Sequence, residues 1–124
     1  MKVRLAALGG SLAGGQPNFY YPVDRIIVIY QYRGMFYYVY VLQSDKTDEL
    51  YKGYTKDLRV RLKQHNNGLN FSTRSYLPWQ LIHYEAYLNE QDAKRREKYL
   101  KTSQGGRLLK RMLKEYFYEN KKKK

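Results

Sequence analysis

The stretch Phe36–Gly68, FYYVYVLQSDKTDELYKGYTKDLRVRLKQHNNG, decides how this chain is read. Its opening run FYYVYVL is rich in β-formers and free of helix breakers, which predicts a strand over Phe36–Leu42. On a pleated strand Tyr38, Tyr40 and Leu42 share one face, and Tyr37, Val39 and Val41 share the other. The polar run Ser44–Glu49 has hairpin length. Leu50–Thr55 then reads as a second strand interrupted by Gly53, where an isolated glycine marks a bulge or a close approach by another group. A helix is predicted over Leu58–Asn66, capped by Thr55 or Asp57 and ended by Asn67-Gly68. Leu58 and Leu62 define its buried stripe, and Arg61 and His65 fall on that same stripe while Arg59 and Lys63 face outward. Ionisable groups on a core-facing stripe need partners or a ligand.

Working outward, Asn70–Tyr76 is a polar, basic loop that contains Thr73 and Arg74, and Pro78-Trp79 opens a third strand over Trp79–Tyr87. Asn89 is placed to cap a second helix, with Asp92 three residues on as a short capping box. On that helix Ala93, Glu97 and Leu100 share one face, which sets a carboxylate on the packed side; Lys94, Arg95 and Lys98 point more to solvent. Gly105-Gly106 is read as a break before a third helix, Arg107–Glu119, striped by Leu108, Met112 and Tyr116. The expected fold is α+β: a three-stranded antiparallel sheet flanked by about three helices. Upstream, Gly9, Gly10, Gly14 and Gly15 cluster around Ser11, and Ile26–Tyr30 offers a short β-segment. Residues 1–34 are expected to form a flexible extension, 35–118 the domain, and 119–124 a basic tail.

The chain carries 24 Lys+Arg against 11 Asp+Glu, a net charge of +13, and this favours a polyanionic partner. Its 15 tyrosines against 4 phenylalanines suit clefts and interfaces, because a tyrosine buries its ring while offering a hydroxyl. With no cysteine, disulfides and thiolate metal sites are excluded, and the chain is expected to be cytoplasmic. No apolar run approaches the roughly 20 residues that span a bilayer. The early glycines lack the Lys-Ser/Thr pair of a phosphate-binding loop and the preceding strand of a dinucleotide fold.

Taken in order, Tyr38-Val39-Tyr40, Tyr51-Lys52-Gly53, Asp57-Leu58 with Arg61 and His65, Pro78-Trp79 and Arg96-Glu97-Lys98 resemble the GIY-YIG nuclease domain, in its small stand-alone branch. The similarity covers about residues 36–105. The resemblance implies divalent-metal-dependent endonuclease cleavage of DNA, with Mg²⁺ or Mn²⁺ as the cofactor and no small-molecule cofactor, in a role such as DNA repair or recombination. It implies Tyr40, Tyr51, Arg61 and His65 as catalytic residues and Glu97 as the metal ligand. The first motif reads YVY and the second YKG, both retaining the tyrosine. Tyr54 stands where the excision-repair endonucleases of the family have a lysine, and the family's late asparagine has no counterpart, Lys101 occupying that neighbourhood.

The residue chemistry is compatible with those roles. Phosphodiester hydrolysis needs an activated water, neutralised charge on the phosphate and a stabilised leaving oxygen. One carboxylate can hold a hydrated Mg²⁺, and a guanidinium can fork onto phosphate. A phenol, with a reference pKa of about 10, becomes a base only beside cations. Lys52, Lys56, Arg74, Lys94 and Lys101 are the candidate nucleic-acid contacts. The competing reading is a non-catalytic nucleic-acid-binding module on the same fold, in which the tyrosines are core aromatics, Arg61 pairs with a carboxylate such as Glu85, and Glu97 pairs with Lys101.

Overall fold

The computed structural model describes residues 34–124. The expectations for the glycine-rich segment, the β-segment at 26–30 and the flexible extension lie outside the described residues. Phe36–Lys124 forms one compact unit.

Three strands make one antiparallel sheet: β1 (Tyr37–Ser44), β2 (Leu50–Thr55) and β3 (Trp79–Tyr87), in the spatial order β2-β1-β3. The helices are α1 (Leu58–Asn66), α2 (Glu90–Leu100), α3 (Ser103–Met112) and α4 (Lys114–Lys122), with a single 3-10 turn at Arg74–Tyr76. The α+β class therefore stands, with four helices where about three were expected.

Because β1 is central, residues Val39–Ser44 are all buried, and its two faces serve two cores. Val39 and Val41 pack with Ala93, Leu100 and Leu109 of α2 and α3. Tyr40 and Leu42 pack on the opposite face with Trp79, against Leu58 and Leu62 of α1. Full burial of each such aliphatic side chain contributes about 1.5–3 kcal/mol. The register shifts between Val41 and Leu42, whose partners are His83 and Leu81, which leaves Ile82 as the extra residue of a bulge in β3, packed against the Val39–Val41 core. Two polar residues of β1 are buried as well, and both are satisfied. Ser44 Oγ donates to the Tyr76 carbonyl at 2.6 Å, and Gln43 Oε1 accepts from Tyr116 Oη at 2.7 Å and Asn120 Nδ2 at 3.2 Å, which fastens α4 to the sheet.

Caps fix where the helices begin. Asp57 Oδ1 accepts from Val60 N at 3.1 Å, so Asp57 rather than Thr55 caps α1. Asn89 Oδ1 accepts from Gln91 N and Asp92 N, while the Asp92 carboxylate pairs with Arg95. Asn66 then ties α1 to β3 by exchanging two hydrogen bonds with the Trp79 backbone, at 3.0 and 2.8 Å.

The expected break at Gly105-Gly106 is corrected, because both glycines lie inside α3, whose N-cap Thr102 accepts from Gly105 N at 3.0 Å. A Cβ on Gly105 would stand 1.9 Å from the Tyr99 carbonyl oxygen, so the glycine lets the start of α3 lie against the end of α2. The expected single helix Arg107–Glu119 is corrected too. It divides at Leu113, whose φ of −104° and ψ of 27° leave the helical region while the side chain stays on the Val39–Val41 core. Leu109, outside the expected stripe of Leu108, Met112 and Tyr116, is consequently the buried residue, and Met112 is 46% exposed. Helix α4 runs to Lys122, into the stretch expected as a tail.

Candidate active site

On the α1 side of the sheet, four residues from β1, α1 and the loop after it form one hydrogen-bonded file. Arg61 Nε donates to Tyr40 Oη at 3.2 Å, Tyr40 Oη meets His65 Nε2 at 2.9 Å, and His65 Nδ1 meets Thr73 Oγ1 at 2.8 Å. Thr73 Oγ1 finally donates to the Asn70 carbonyl at 3.4 Å. Thr73 Oγ1 gives its single proton to the Asn70 carbonyl and so accepts from His65 Nδ1–H. A neutral imidazole that donates at Nδ1 accepts at Nε2, so Tyr40 donates to His65 and accepts from Arg61 Nε.

The electrostatics agree with that direction. Burial, acting with the nearby Tyr51 phenol against the hydrogen bond from Arg61, pushes Tyr40 up to about 12. Burial, followed by the Arg61 charge, pushes His65 down to about 4, so the imidazole is neutral near pH 7. Both of its nitrogens are engaged and it is 0% exposed. The Tyr40 hydrogen bond holds the Arg61 guanidinium above its ordinary pKa. Arg61 Nη1 also donates to Gln64 Oε1 at 3.2 Å, and among the described residues it forms no ion pair. Glu85 binds Arg96 and His83 instead of Arg61.

The close approach anticipated at Gly53 is made by Tyr40. These two residues are register partners, and a Cβ on Gly53 would stand 2.4 Å from the ring's Cζ and Oη. Tyr51, two residues earlier on the same face, sets its ring 4.8 Å from His65, 6.1 Å from Tyr40 and 6.2 Å from Trp79, centroid to centroid. It borders a cavity of about 660 Å³ whose wall also includes Gly53, Tyr54, Lys94, Glu97 and Lys98. Tyr51 and Glu97, one from β2 and one from α2, thus line the same hollow.

The remaining expected residues divide. Lys94 lines that cavity, with its ammonium 5.6 Å from the Tyr54 ring and paired to Glu90 at 3.3 Å. Tyr54 itself donates to Glu90 at 2.7 Å. A cation therefore stands beside Tyr54. Lys101 pairs with Glu97. Arg74 stacks its guanidinium 4.4 Å from the exposed Phe71 ring, next to Thr73. Lys56 lies 6.0 Å from the Tyr37 ring. Lys52 opposes Val41 across the ladder, which turns it to the helix side of the sheet, away from Tyr40.

Sequence reasoning passed over Thr73, Gln64, Gln91 and Lys98. Thr73 is 1% exposed and orients His65, yet it sits in an aperiodic loop that gave no sign of burial. Gln64 follows Arg61 by three positions, a spacing that signals contact on a helix. Gln91 and Lys98 border the cavity from helix faces that read as solvated.

A metal can be weighed against this donor set. Among the described residues no three His, Asp or Glu side chains gather, so an ion ligated wholly by protein side chains has no site there. A hydrated Mg²⁺ or Mn²⁺ needs less: one carboxylate, with water and phosphate oxygens completing its shell. Glu97, with 17% of its side chain exposed on the wall of the Tyr51 cavity, fits that requirement.

Residues 36–107, more than half of the chain, match the family model for the GIY-YIG catalytic domain. A UPF0213 protein of Clostridium perfringens is 42% identical over 65 residues, covering 52% of this chain and 69% of that protein. One from Streptococcus agalactiae is 47% identical over 62 residues, covering 48% and 68%. One from Haloquadratum walsbyi is 35% identical over 68 residues, covering 54% and 75%. No solved structure matches. No helix among the described residues is long and apolar enough to cross a membrane. On that match over residues 36–107 the chain belongs to the GIY-YIG family, whose fold is of the nuclease type.

Proposed function

We propose that this protein is an endonuclease that hydrolyses DNA phosphodiester bonds with the help of Mg²⁺ or Mn²⁺ held by Glu97, in a process such as repair or recombination. The observation that carries the reading is that Tyr51 and Glu97, from different elements, line one cavity. When bound, the divalent ion supplies positive charge to the phosphate and to the leaving oxygen. Arg61, free of any carboxylate among the described residues, neutralises the charge that grows on the phosphoryl oxygens as water attacks phosphorus. Tyr51, facing the cavity, is the general base: as the phenolate it orients that water and takes its proton while the water oxygen bonds phosphorus. The bond from phosphorus to the leaving 3′ or 5′ oxygen breaks, and that oxygen takes a proton from solvent. Tyr40 plays a different part: it keeps its proton, donates it to His65 and presents its lone pairs to Arg61 Nε. His65 and Thr73 are positioning residues that act through Tyr40. Lys94 and Lys98, which line the cavity, draw the DNA backbone toward it, and Arg74 and Lys56 add positive charge outside its wall.

Labelled duplex, single-stranded and flap DNA incubated with Mg²⁺, Mn²⁺ or EDTA tests the reading. Cleavage is expected only with metal and is expected to disappear in Glu97→Ala and Tyr51→Phe while binding persists. Cleavage that survives in EDTA, or in Glu97→Ala, would sink it. The pairing of Glu97 with Lys101 favours the alternative of a binding module, for which the same assay gives binding without cleavage in every metal.

A further inference from the structure

The helix side of the sheet carries a second concave surface that the reaction above leaves unused. A hollow of about 800 Å³ is walled by Lys52, Lys110, Lys114 and Lys121, with Phe117 and Tyr118 among them. None of these four lysines forms an ion pair among the described residues. Two carboxylates border the hollow, Asp48 and Glu49, and Asp48 is already paired with Lys124. Burial, and then the charges of Lys110 and Lys101, hold the Lys52 ammonium below its ordinary pKa, as expected where cations gather without an anion.

The aromatics narrow the occupant. Tyr118 is 56% exposed, with the Lys122 ammonium 4.4 Å from its ring centroid. An exposed ring among lysines stacks a base while the lysines meet the flanking phosphates, and this requires bases whose faces are free. A duplex hides those faces, so the composition selects a single strand. Position links the hollow to the cut site: Leu50 and Lys52 line it, whereas Tyr51 and Gly53 line the cavity shared with Glu97, so the two hollows have the outer strand β2 as a common wall.

We propose that the hollow formed by Lys52, Lys110, Lys114 and Lys121 binds the single-stranded DNA that runs on from the cut site across β2. The identity of the polymer rests on the nuclease reading above. The test uses the full chain in EDTA, so that no strand is cut, and follows binding of an oligothymidylate of about 15 nucleotides by anisotropy over a salt series. In the combined variant Lys110→Gln, Lys114→Gln, Lys121→Gln, all at exposed positions, the slope of log K against log salt is expected to shrink by about 2, from roughly 0.7 for each of three phosphate contacts. Tyr118→Ala is expected to weaken binding roughly fivefold or more at fixed salt and to leave the slope alone. An unchanged slope in the combined variant, with the wild type still binding, overturns the groove and leaves the nuclease reading standing. Failure of the wild type to bind the oligonucleotide overturns the groove, while the nuclease reading stands or falls separately on the cleavage assay. Lost binding to vesicles of phosphatidylserine and phosphatidylcholine, with the DNA slope unchanged, assigns the lysines to a lipid surface and also overturns the proposal.

Discussion

At the scale of single residues, the file from Arg61 to Thr73 separates two tyrosines that sequence alone treats as equivalent. Tyr40 is buried, keeps its proton and fixes a guanidinium, whereas Tyr51 borders the cavity. Arg61 is then the residue whose charge is aimed before substrate arrives. Arg61→Ala is expected to slow cleavage by about 3–4 kcal/mol, a hundredfold or more in single-turnover rate, with a much smaller effect on binding. A loss that falls wholly on binding would reduce Arg61 to an ordinary phosphate contact. His65 gives a second test, one that needs no substrate. Its folded pKa of about 4 lies below the 6.5 of a free imidazole, so the unfolded chain binds the proton more readily. Stability due to this residue is therefore complete above pH 6.5 and is lost as the pH falls from there toward 4. Glu85 works in a lower window. Burial opposes its ionisation, but the hydrogen bonds from Arg96, Tyr87 and His83 prevail and hold its carboxyl below the ordinary 4.5. Urea midpoints at pH 7 and pH 5 are expected to differ in the wild type and to differ less in His65→Gln. Equal pH sensitivity in the two proteins would contradict a buried neutral imidazole.

At the scale of elements, legibility followed how locally each element is determined. The bounds of β2, α1 and β3 could be read from the sequence, because β-formers, an Asp cap and a Pro-Trp start are signals carried within each segment. The split of α3 from α4 at Leu113 was not legible. Nothing in Arg107–Glu119 lowers helix propensity there, and the break is set by the demand that Leu113 reach the Val39–Val41 core while Tyr116 reaches Gln43. Gly105 misled for a related reason: its role is defined by the Tyr99 carbonyl across an element boundary, and local rules see only a helix breaker. The site divides in the same way. Arg61 and His65 were found because helical spacing set ionisable groups on an apolar stripe, but Thr73 reaches His65 through a loop that has no periodicity. Gly53 was the informative exception, a local oddity that pointed to a tertiary fact. Gly53→Ala forces the Tyr40 ring aside, and since that ring is rigid and fully buried the cost is expected at about 1–3 kcal/mol. Denaturation should show that loss, and cleavage should fall further than stability, because Arg61 loses its fixed acceptor. A stable, fully active Gly53→Ala protein would mean that Tyr40 need not sit where it does.

At the scale of the whole unit Phe36–Lys124, one strand supplies both cores, and this has a consequence for cooperativity. Val39 and Val41 look toward α2 and α3, and Tyr40 and Leu42 look toward α1, so neither layer keeps its packing if β1 leaves. The cross-ties reinforce the coupling: Asn66 holds α1 to β3, and Gln43 holds α4 to β1. Trp79, the single tryptophan, is 6% exposed in the α1-side core and reports on that layer alone. The far-UV signal is weighted toward α2, α3 and α4 on the other side. If β1 makes the unit indivisible, tryptophan fluorescence and circular dichroism are expected to give coincident urea transitions. Val41→Ala sharpens the test, since it removes volume only from the helix-side core, at a cost of about 2 kcal/mol. Both signals should move to lower urea by the same amount, although Trp79 lies on the face the substitution does not touch. A fluorescence transition that stays in place while the dichroism shifts would show that the α1 layer, with the Arg61–Tyr40–His65 file, holds together without the other half.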